Sequence, residues 1–306
     1  MSKPKKHHYL SKFYLAGFTL SGDNEGVLFC YDVKNKTVRP SKPINECYVK
    51  YFNKIESNEI DPNILEKELS KVEGSISLIF KYIHEKKELP KNEKFSELLY
   101  YIALIGVRNP VIRESFQEFK ENVASKIFSL MLSDRKIWYS EMERINRETD
   151  NKFKDITYEE MKKFNKEKKW KLVELNYSTI DWEFKAVYRI YQLLHQRSWI
   201  LLINDDDSNH FVTSDRPVKL IPNDFSHFKF GVGFGSRNTE LYFPLSKSLL
   251  LRGSYKLPST IMPVRADMVA TLNTLQFFYT SRYIYSPTSD FKIYGKDKSI
   301  INVSAI

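Results

Sequence analysis

The chain has 306 residues, of which 42% are hydrophobic and 14% aromatic, so it can bury a large core and does not have the composition of a disordered protein. Lys and Arg exceed Asp and Glu by 48 to 38, a formal net charge of +10, which favours a phosphate-bearing partner such as nucleic acid over an acidic or neutral one. The same charge also fits an ordinary basic protein whose surface only keeps it soluble.

The cysteines and the apolar segments indicate a compartment. Cys30 and Cys47 are the only cysteines, without a CxxC pair or an accompanying set of histidines, so the sequence predicts neither a disulfide framework nor a zinc site. The basic start of the chain lacks the apolar segment and cleavage site of a signal peptide. The longest apolar run, 100–107, is far shorter than the roughly 20 residues of a membrane span. We therefore expect a cytoplasmic protein that has no membrane partner.

Residues 1–55 have the pattern of strands and loops. The segment VLFCYDVKNKTVRP alternates like a strand, breaks at Lys34-Asn35-Lys36 and resumes, which predicts a β-hairpin. A two-stranded hairpin is only marginally stable by itself. We therefore expect this hairpin to join strands from later in the chain.

Residues 61–197 form a helical region. Asp61 and Pro62 are an N-cap and a first helical residue, and the apolar residues of 64–86 recur at helical spacing. The nearly all-apolar segment 95–107 predicts a buried central helix, because a helix that is apolar all round needs cover on every side.

The remainder of the helical region is more charged. An apolar stripe predicts one long helical stretch over about 111–147, and a further helix is predicted at about 182–195. Between them, near 143–172, both charge signs alternate without a broad apolar face. This pattern predicts an exposed helical excursion or lid.

Residues 198–306 are strand-rich and include a final helix, predicted over 264–282. The predicted strands are SWILLIND, NHFVTSD, KFGVGF, ELYFPLS, SLLLRG and YIYS. The order strands, helices, strands, helix predicts an α+β fold, with central helices packed against a mixed, largely antiparallel sheet formed by N-terminal and C-terminal strands. We expect a single domain over residues 1–306.

Two histidines and two glutamates are the first candidates for chemistry. His7-His8 lies in an aromatic-rich segment, and histidine is the usual proton carrier near neutral pH, although adjacent histidines near a terminus are also ordinary surface. Glu66 and Glu73 are seven residues apart, almost two helical turns, so they share one helix face beside an apolar stripe. Carboxylates placed in this way pair with basic residues, hold a hard cation, or transfer protons at a raised pKa.

Arg108 and Asp215 are the other candidates. Arg108 ends the most apolar helix and needs a compensating anion, for which a glutamate, Asp215 or a bound phosphate would serve. Asp215 follows Thr213 and Ser214 at a predicted strand end, where the three side chains either shape an ordinary turn or include an active-site carboxylate. Because Gly-x-Ser-x-Gly is absent around Ser214, the nucleophile elbow of a serine hydrolase is excluded.

Arg189 and His195 offer an alternative site. They are separated by five residues, which resembles the loose motif of HEPN-type ribonucleases, whose Arg and His act on the scissile phosphate without metal. Ile190 stands where that family favours a polar residue. The motif therefore gives a minor alternative to the site built on the carboxylates.

Several short motifs resemble, in the same order and over essentially the whole chain, those of the microbial family catalogued as domain of unknown function 4238. They are HHYLSKFYLAGF, LEKELSKVE, ALIGVRNPVIR, FVTSDRPV, YFPLS and LNTLQFFYTSRYIYS. The motif residues of that family correspond here to His8, Phe13, Phe18, Glu66, Glu73, Arg108, Thr213, Ser214 and Asp215. Ser11 departs from the pattern, because the family usually has proline there, and we expect the departure to alter the local turn more than any chemistry.

The resemblance implies that the polar motif residues form one site, but the family has no assigned activity. A proton carrier, carboxylates and a guanidinium suit phosphodiester cleavage, so we expect a nuclease or another phosphodiester-cleaving effector, and we associate it with toxin-like or phage-defence proteins. Glu73 and Asp215 would bind a divalent cation, Mg²⁺ or Mn²⁺, or activate water, with Glu66 as the second carboxylate of the helix. Arg108 would stabilise the phosphoryl oxygens, and His8 would protonate the leaving oxygen. The basic surface would hold nucleic acid through its backbone.

A hypothesis from another class competes with this one. The chain would be a non-catalytic module that binds nucleic acid or a partner protein, and Arg108, the two glutamates and Asp215 would form a buried structural network. The two hypotheses differ in where the carboxylates lie and in whether any substrate is cleaved.

Overall fold

The computed structural model describes residues 6–55, 60–167, 170, 172, 176–224 and 232–306. These residues form eight helices and thirteen strands, which confirms the α+β class. Contacts divide the chain into two compact units: unit 1 is Met1–Pro110 with Asn176–Ile306, and unit 2 is Val111–Leu175. The helical region predicted over 61–197 is therefore shared between the units, and its charged excursion lies in unit 2.

The N-terminal part of unit 1 contains the predicted hairpin. Strands β2 (Leu28–Asp32) and β3 (Thr37–Ser41) pair antiparallel across the predicted turn, which confirms it. The hairpin lies between a short helix, α1 (Lys12–Ala16), and a 3-10 turn at Pro43–Asn45. Outside these elements, β1 (Lys6–His8) pairs antiparallel with β4 (Tyr48–Lys50).

The helices of unit 1 follow the predicted apolar periodicity. They are α2 (Ile64–Lys86), α3 (Asn92–Val107), α7 (Asn176–Leu194) and α8 (Ala266–Phe278). Helix α2 begins two residues later than predicted: its N-cap is Asn63 instead of Asp61, and Asp61 accepts a hydrogen bond from the Asn63 backbone N–H at 3.0 Å just before the helix. Helix α3 is buried and packs against α7, as its composition predicts.

Unit 2 consists of α4 (Pro110–Met131), which starts at the boundary, α5 (Arg135–Glu148) and α6 (Tyr158–Lys166). The prediction of one helical stretch over 111–147 is wrong. The chain breaks before Asp134, whose carboxylate accepts from the backbone N–H of Lys136 at 2.6 Å and so caps a new helix.

The strands of unit 1 divide into two larger sheets and two pairs. The five-stranded sheet has the order β10-β5-β9-β8-β7, antiparallel except for β10 with β5. Its strands are β5 (Ser198–Ile203), β7 (Lys219–Pro222), β8 (Thr239–Ser246), β9 (Leu249–Ser254) and β10 (Thr260–Pro263). The predicted strand KFGVGF lies partly outside the described residues, and 232–234 are not in a strand.

The second large sheet has the order β3-β2-β11-β6, where β6 is Thr213–Ser214 and β11 is Tyr283–Ser286. The early hairpin thus joins C-terminal strands, as predicted. Strand β6 is short because the chain leaves the sheet at Asp215, and Pro217, which has no N–H to donate, precedes β7 in the other sheet. Strands β12 (Lys292–Tyr294) and β13 (Ile300–Asn302) form a separate antiparallel pair.

The largest apolar core of unit 1 collects side chains from α1, α2, α3, α7 and the five-stranded sheet. Its largest fully buried members include Tyr14, Phe18, Tyr101, Trp199 and Phe243. Across the described ranges, no helix is both long enough and apolar enough to cross a membrane.

Candidate functional site

A chain of hydrogen bonds through Asn53 links residues from four segments. The Asn53 side chain accepts from Nη2 of Arg108 at 2.6 Å and donates from Nδ2 to Oε2 of Glu66 at 2.6 Å. Its backbone N–H donates to Nδ1 of His7 at 2.9 Å. Asn53 therefore contacts an arginine and a carboxylate through its side-chain amide and a histidine through its backbone N–H. We call His7, Ser11, Asn53, Glu66, Glu73 and Arg108 the Asn53 cluster.

Local structure explains how these segments meet. The pairing of β1 with β4 brings His7 close to the loop that follows β4, where Asn53 lies. The seven-residue spacing on α2 places Glu66 and Glu73 on one face, as predicted, and the negative charge of Glu66 acts on Glu73. Arg108 follows the last residue of α3, so the buried helix delivers its guanidinium to the cluster.

Glu73 is the carboxyl whose environment is most altered. Ser11 donates to its Oε1 at 2.7 Å, and the hydroxyl of Tyr101 donates to Ser11 Oγ at 3.1 Å. Burial raises the pKa of Glu73 above its ordinary value, and the charge of Glu66 raises it further, while Ser11, Arg108 and Lys12 act in the opposite direction. Glu73 is thus easier to protonate than an ordinary glutamate.

Ser11 contributes more than the altered turn expected from its departure from the family pattern. Its hydroxyl is the direct partner of Glu73 and is itself buried. Proline has no hydroxyl, so it could not make this bond. The serine stabilises the ionised form of Glu73 and partly offsets the effect of burial on the pKa.

His8, the predicted proton donor, lies on the other face of β1. Its Nδ1 donates to the carbonyl oxygen of Glu46 at 3.0 Å, and its ring meets Tyr48 edge-on. Burial, with the positive charges of Lys12 and Lys6, lowers the pKa of His8 to about 4, so the ring is neutral at pH 7. A neutral imidazole of low basicity suits proton donation poorly. The histidine beside Glu66, at 3.7 Å, is His7.

Asp215 holds a loop of the sheet. Its Oδ1 accepts from Thr280 Oγ1 at 2.7 Å and from the Ser281 N–H at 2.9 Å. Its Oδ2 accepts from the N–H groups of Arg282 and Tyr283 at 2.7 and 3.0 Å. Both oxygens are thereby occupied in fixing the segment between α8 and β11, which is the structural alternative that the sequence left open.

The predicted cation site of Glu73 and Asp215 fits this geometry poorly. Asp215 directs its oxygens at four donors of the 280–283 segment, and Glu73 at Ser11. Mg²⁺ requires several oxygen ligands that converge on one point. Within the described part of the chain, no group of three or more His, Cys, Asp or Glu side chains has such an arrangement.

Thr213 and Ser214 belong to the buried interior. Thr213 Oγ1 lies 2.6 Å from the hydroxyl of Tyr14, and Ser214 donates to Gln276 Oε1 at 2.8 Å. Lys219 donates to Ser214 Oγ at 3.0 Å, and burial lowers the pKa of this lysine well below its ordinary value. These contacts assign the two hydroxyls to the shaping of the strand end.

The alternative pair, Arg189 and His195, lies at the exposed C-terminal end of α7. His195 packs edge-on against Tyr191, with ring centroids 4.7 Å apart. Among the hydrogen bonds of the described residues, none joins Arg189 to His195. The pair is accessible to a substrate but is not preorganised by contacts with each other.

Sequence reasoning gave the histidine role to His8 rather than to its neighbour His7, and it missed Asn53. The alternation of a strand separates His7 from His8, yet nothing in a three-residue strand shows which side faces inward. Asn53 stands in an irregular loop, where asparagine is an ordinary residue. The one signal in the sequence was that Arg108, at the end of an apolar helix, needs a buried hydrogen-bond acceptor; the sequence did not show that Asn53 supplies it.

The model of the family described as "Protein of unknown function (DUF4238)" matches residues 6–290, nearly the whole chain. The chain belongs to this family. It matches no curated protein and no solved structure.

Proposed function

We propose that this protein cleaves phosphodiester bonds in nucleic acid and that the Asn53 cluster is its active site. The observation that carries the proposal is the pair of carboxylates on α2: Glu73 has a raised pKa, and Glu66 lies beside it with 27% of its side chain exposed. A carboxyl that burial makes easier to protonate, on the same helix face as a second carboxyl, suits an acid and a base in one site.

The roles follow from the contacts. In this proposal Glu66, whose side chain is 27% exposed, takes a proton from the attacking water, and Glu73, whose burial favours the protonated form, gives one to the leaving oxygen. Water thus adds to phosphorus as the P–O bond breaks, leaving a phosphomonoester and an alcohol. Arg108, the buried cation of the cluster, stabilises charge on the phosphoryl oxygens, while Asn53 and His7 are positioning residues.

The net charge of +10 supports nucleic acid as the substrate, because basic surfaces hold the phosphate backbone independently of sequence. A toxin-like or phage-defence role belongs to the same proposal and predicts that wild-type protein slows the growth of its host. Glu73→Gln, which removes the acid, should relieve that effect.

A cleavage panel tests the proposal. Purified protein is incubated with labelled RNA, single-stranded DNA and duplex DNA, with and without Mg²⁺ or Mn²⁺. We expect Glu66→Gln and Glu73→Gln to lower the rate by about 100-fold or more, the usual range for a general acid or base. Glu68→Gln, on the exposed side of the same helix, is the matched control and should keep the wild-type rate.

Other outcomes distinguish the alternatives. Cleavage that persists in both Glu66→Gln and Glu73→Gln excludes the assigned residues. Loss in His195→Ala alone moves the active site to the HEPN-like pair. Activity that needs Mg²⁺ or Mn²⁺ and disappears in a folded Asp215→Asn variant restores the metal hypothesis. These results separate the residue assignment from the reaction type.

A second candidate function is supported by burial. His7 and Asn53 are fully buried and Arg108 is 4% exposed, so the cluster is also suited to be a structural network in a non-catalytic module. This candidate predicts that no substrate is cleaved while nucleic acid or a partner protein is bound. Fluorescence anisotropy with labelled RNA and DNA at increasing salt, beside the cleavage panel, measures the nucleic-acid branch.

A further inference from the structure

A cavity of about 480 Å³ lies in unit 1, away from the Asn53 cluster, none of whose six residues lines it. Three elements form its walls: the segment that follows α1, one face of α2, and the turn between β8 and β9. The volume falls in the range of sites for small organic ligands, which is about 300–1,000 Å³. Its lining residues include both apolar and basic side chains.

The cavity has an apolar wall. The rings of Phe13 and Phe80 meet edge-to-face, with centroids 5.4 Å apart, and both side chains are only half-buried. Leu245 and Leu249 add aliphatic surface from the five-stranded sheet. Two aromatic rings at the edge of the main core thus keep part of their surface uncovered inside a concave site, which an apolar ligand would bury.

The rim of the cavity is basic. Lys81 and His84 lie on the helix face of α2 that also carries Phe80, and Lys247 comes from the β8–β9 turn. The Nζ of Lys247 donates a hydrogen bond to the Leu20 carbonyl oxygen at 2.5 Å, which fixes the side chain. The Nζ of Lys81 lies 3.9 Å from Oε1 of Glu85, which is a weak ion pair.

The acidic group of the lining is engaged by its own loop. Asp23 Oδ1 accepts from the N–H groups of Glu25 and Gly26 at 2.8 and 2.7 Å. The hydrogen bond from the Ser21 side chain, together with these two bonds, lowers the pKa of Asp23, so its carboxylate belongs to the loop. The lysines of the lining come from α2 (Lys81) and from the β8–β9 turn (Lys247), and an anion would bind beside them.

The loop wall is built in advance. Thr19 Oγ1 accepts from the Gly22 N–H at 2.9 Å, and Gly22 has a φ of +78°, a conformation that favours glycine. The Lys247 N–H donates to the Gly17 carbonyl oxygen at 2.9 Å, which fastens the loop to the β8–β9 turn. A preformed wall lowers the entropic cost of binding.

We propose that this cavity binds a small amphiphilic anion, whose apolar or aromatic body packs on Phe13 and Phe80 and whose carboxylate or phosphate group contacts Lys81, His84 and Lys247. The proposal does not depend on the cleavage of nucleic acid, because the cavity and the Asn53 cluster share no residue. It assigns the protein a ligand-binding site in addition to the proposed active site.

Calorimetric titration of the whole chain tests the proposal with four probes. Decanoate carries a carboxylate on an aliphatic body, and AMP carries a phosphate on an aromatic body. Adenosine has the body without the charge, and inorganic phosphate has the charge without the body. We expect decanoate or AMP to bind with a Kd below about 100 μM, and adenosine and phosphate at least tenfold more weakly. Binding of decanoate would identify a carboxylate as the head group of the ligand, and binding of AMP would identify a phosphate.

Variants locate the binding. Lys81→Met with Lys247→Met should weaken the bound anion at least tenfold, whereas Lys86→Met, an exposed lysine of the same helix that does not line the cavity, should leave it unchanged. Ser77→Trp fills the cavity without removing a charge and should abolish binding. Thermal melting verifies that each variant is folded.

Three results would overturn the proposal. The first is that neither decanoate nor AMP binds. The second is that inorganic phosphate binds as tightly as AMP. The third is that the double lysine variant and Ser77→Trp both bind the anion with wild-type affinity. The last result would place the anion elsewhere on the basic surface.

Discussion

Asn53 Oδ1 accepts a hydrogen bond from Arg108 at 2.6 Å, although the two residues are 55 positions apart in the chain. Both are almost completely buried. The amide dipole therefore compensates part of a charge that the end of an apolar helix carries into the interior, and the same amide binds Glu66. The orientation of Asn53 thus couples the arginine to the carboxylates.

The first prediction concerns this arginine. Arg108→Met roughly keeps the length of the side chain but removes its positive charge, so Asn53 Oδ1 loses this donor and Glu73 loses one of the positive charges that act on it. We expect the free energy of unfolding to fall by about 3 kcal/mol, measured by urea denaturation. Arg189→Met, at an exposed position, is the control and should change it by less than about 0.5 kcal/mol. Equal effects of the two substitutions would contradict a structural role for the buried guanidinium.

The second prediction separates structure from catalysis at Asp215. In Asp215→Asn, one acceptor oxygen becomes an NH₂ group facing N–H or O–H donors of the 280–283 segment. We expect a loss of about 3 kcal/mol in stability and a lower melting temperature, because bonds to a charged acceptor are the strong ones. Asp207→Asn, at an exposed position, is the matched control. A variant with wild-type stability but no activity would instead assign Asp215 to catalysis.

The third prediction is a pH dependence of stability. The pKa of Glu73 is higher in the folded protein than its ordinary value of 4.5, with burial as the first cause. Such a group favours folding at pH values below 4.5, and this contribution is lost as the pH rises through the folded pKa. The stability of Glu73→Gln, which does not titrate, should therefore increase relative to wild type as the pH rises above 4.5.

Chemical denaturation of both proteins from pH 4 to pH 8 measures this difference. Glu68→Gln, on the exposed side of α2, controls for the loss of one negative charge. A difference between Glu73→Gln and wild type that stays constant or falls across the range would show that Glu73 is not a desolvated carboxyl.

The fourth prediction concerns the contact between Gly17 and β8. A Cβ atom at Gly17 would lie 3.0 Å from the Leu245 carbonyl oxygen and 3.3 Å from Ser246 Cα, so Gly17→Ala must displace the backbone. We expect a loss of about 1–3 kcal/mol in stability.

Gly74→Ala should have the opposite effect. No atom lies within 4 Å of the added Cβ, and alanine is more stable than glycine inside a helix, so the free energy of unfolding should rise by about 0.5–1 kcal/mol. Thermal melts of the two variants that shift in the same direction would contradict the steric argument.

Much of the local structure could be predicted because it depends on neighbours in the sequence. Helix α2 covers the predicted apolar periodicity over 64–86, although it begins two residues after the predicted first helical residue, Pro62. The β2–β3 hairpin follows from a turn between two alternating segments. The break at Asp134 was missed, because aspartate inside an apolar periodic pattern is read as helical surface until its cap is seen.

The site could be predicted less well, because its contacts are long-range. The sequence indicated Glu66, Glu73 and Arg108, and all three belong to the Asn53 cluster. It could not indicate that a loop residue, Asn53, would link them. Nor could it decide whether Asp215 faces the glutamates or the 280–283 segment, since the sheet register that fixes this joins strands far apart in the chain.

The ion pair of Asp32 with Arg282 joins residues 250 positions apart. During synthesis on the ribosome, β2 cannot pair with β11 until the roughly 250 residues between them have been made. At about 5–20 residues per second this takes about 12–50 s. During that interval the hairpin presents an open strand edge, the kind of surface that chaperones cover and that pairs with other chains. Slow synthesis or a shortage of chaperones would lower the yield of this protein through its N-terminal hairpin.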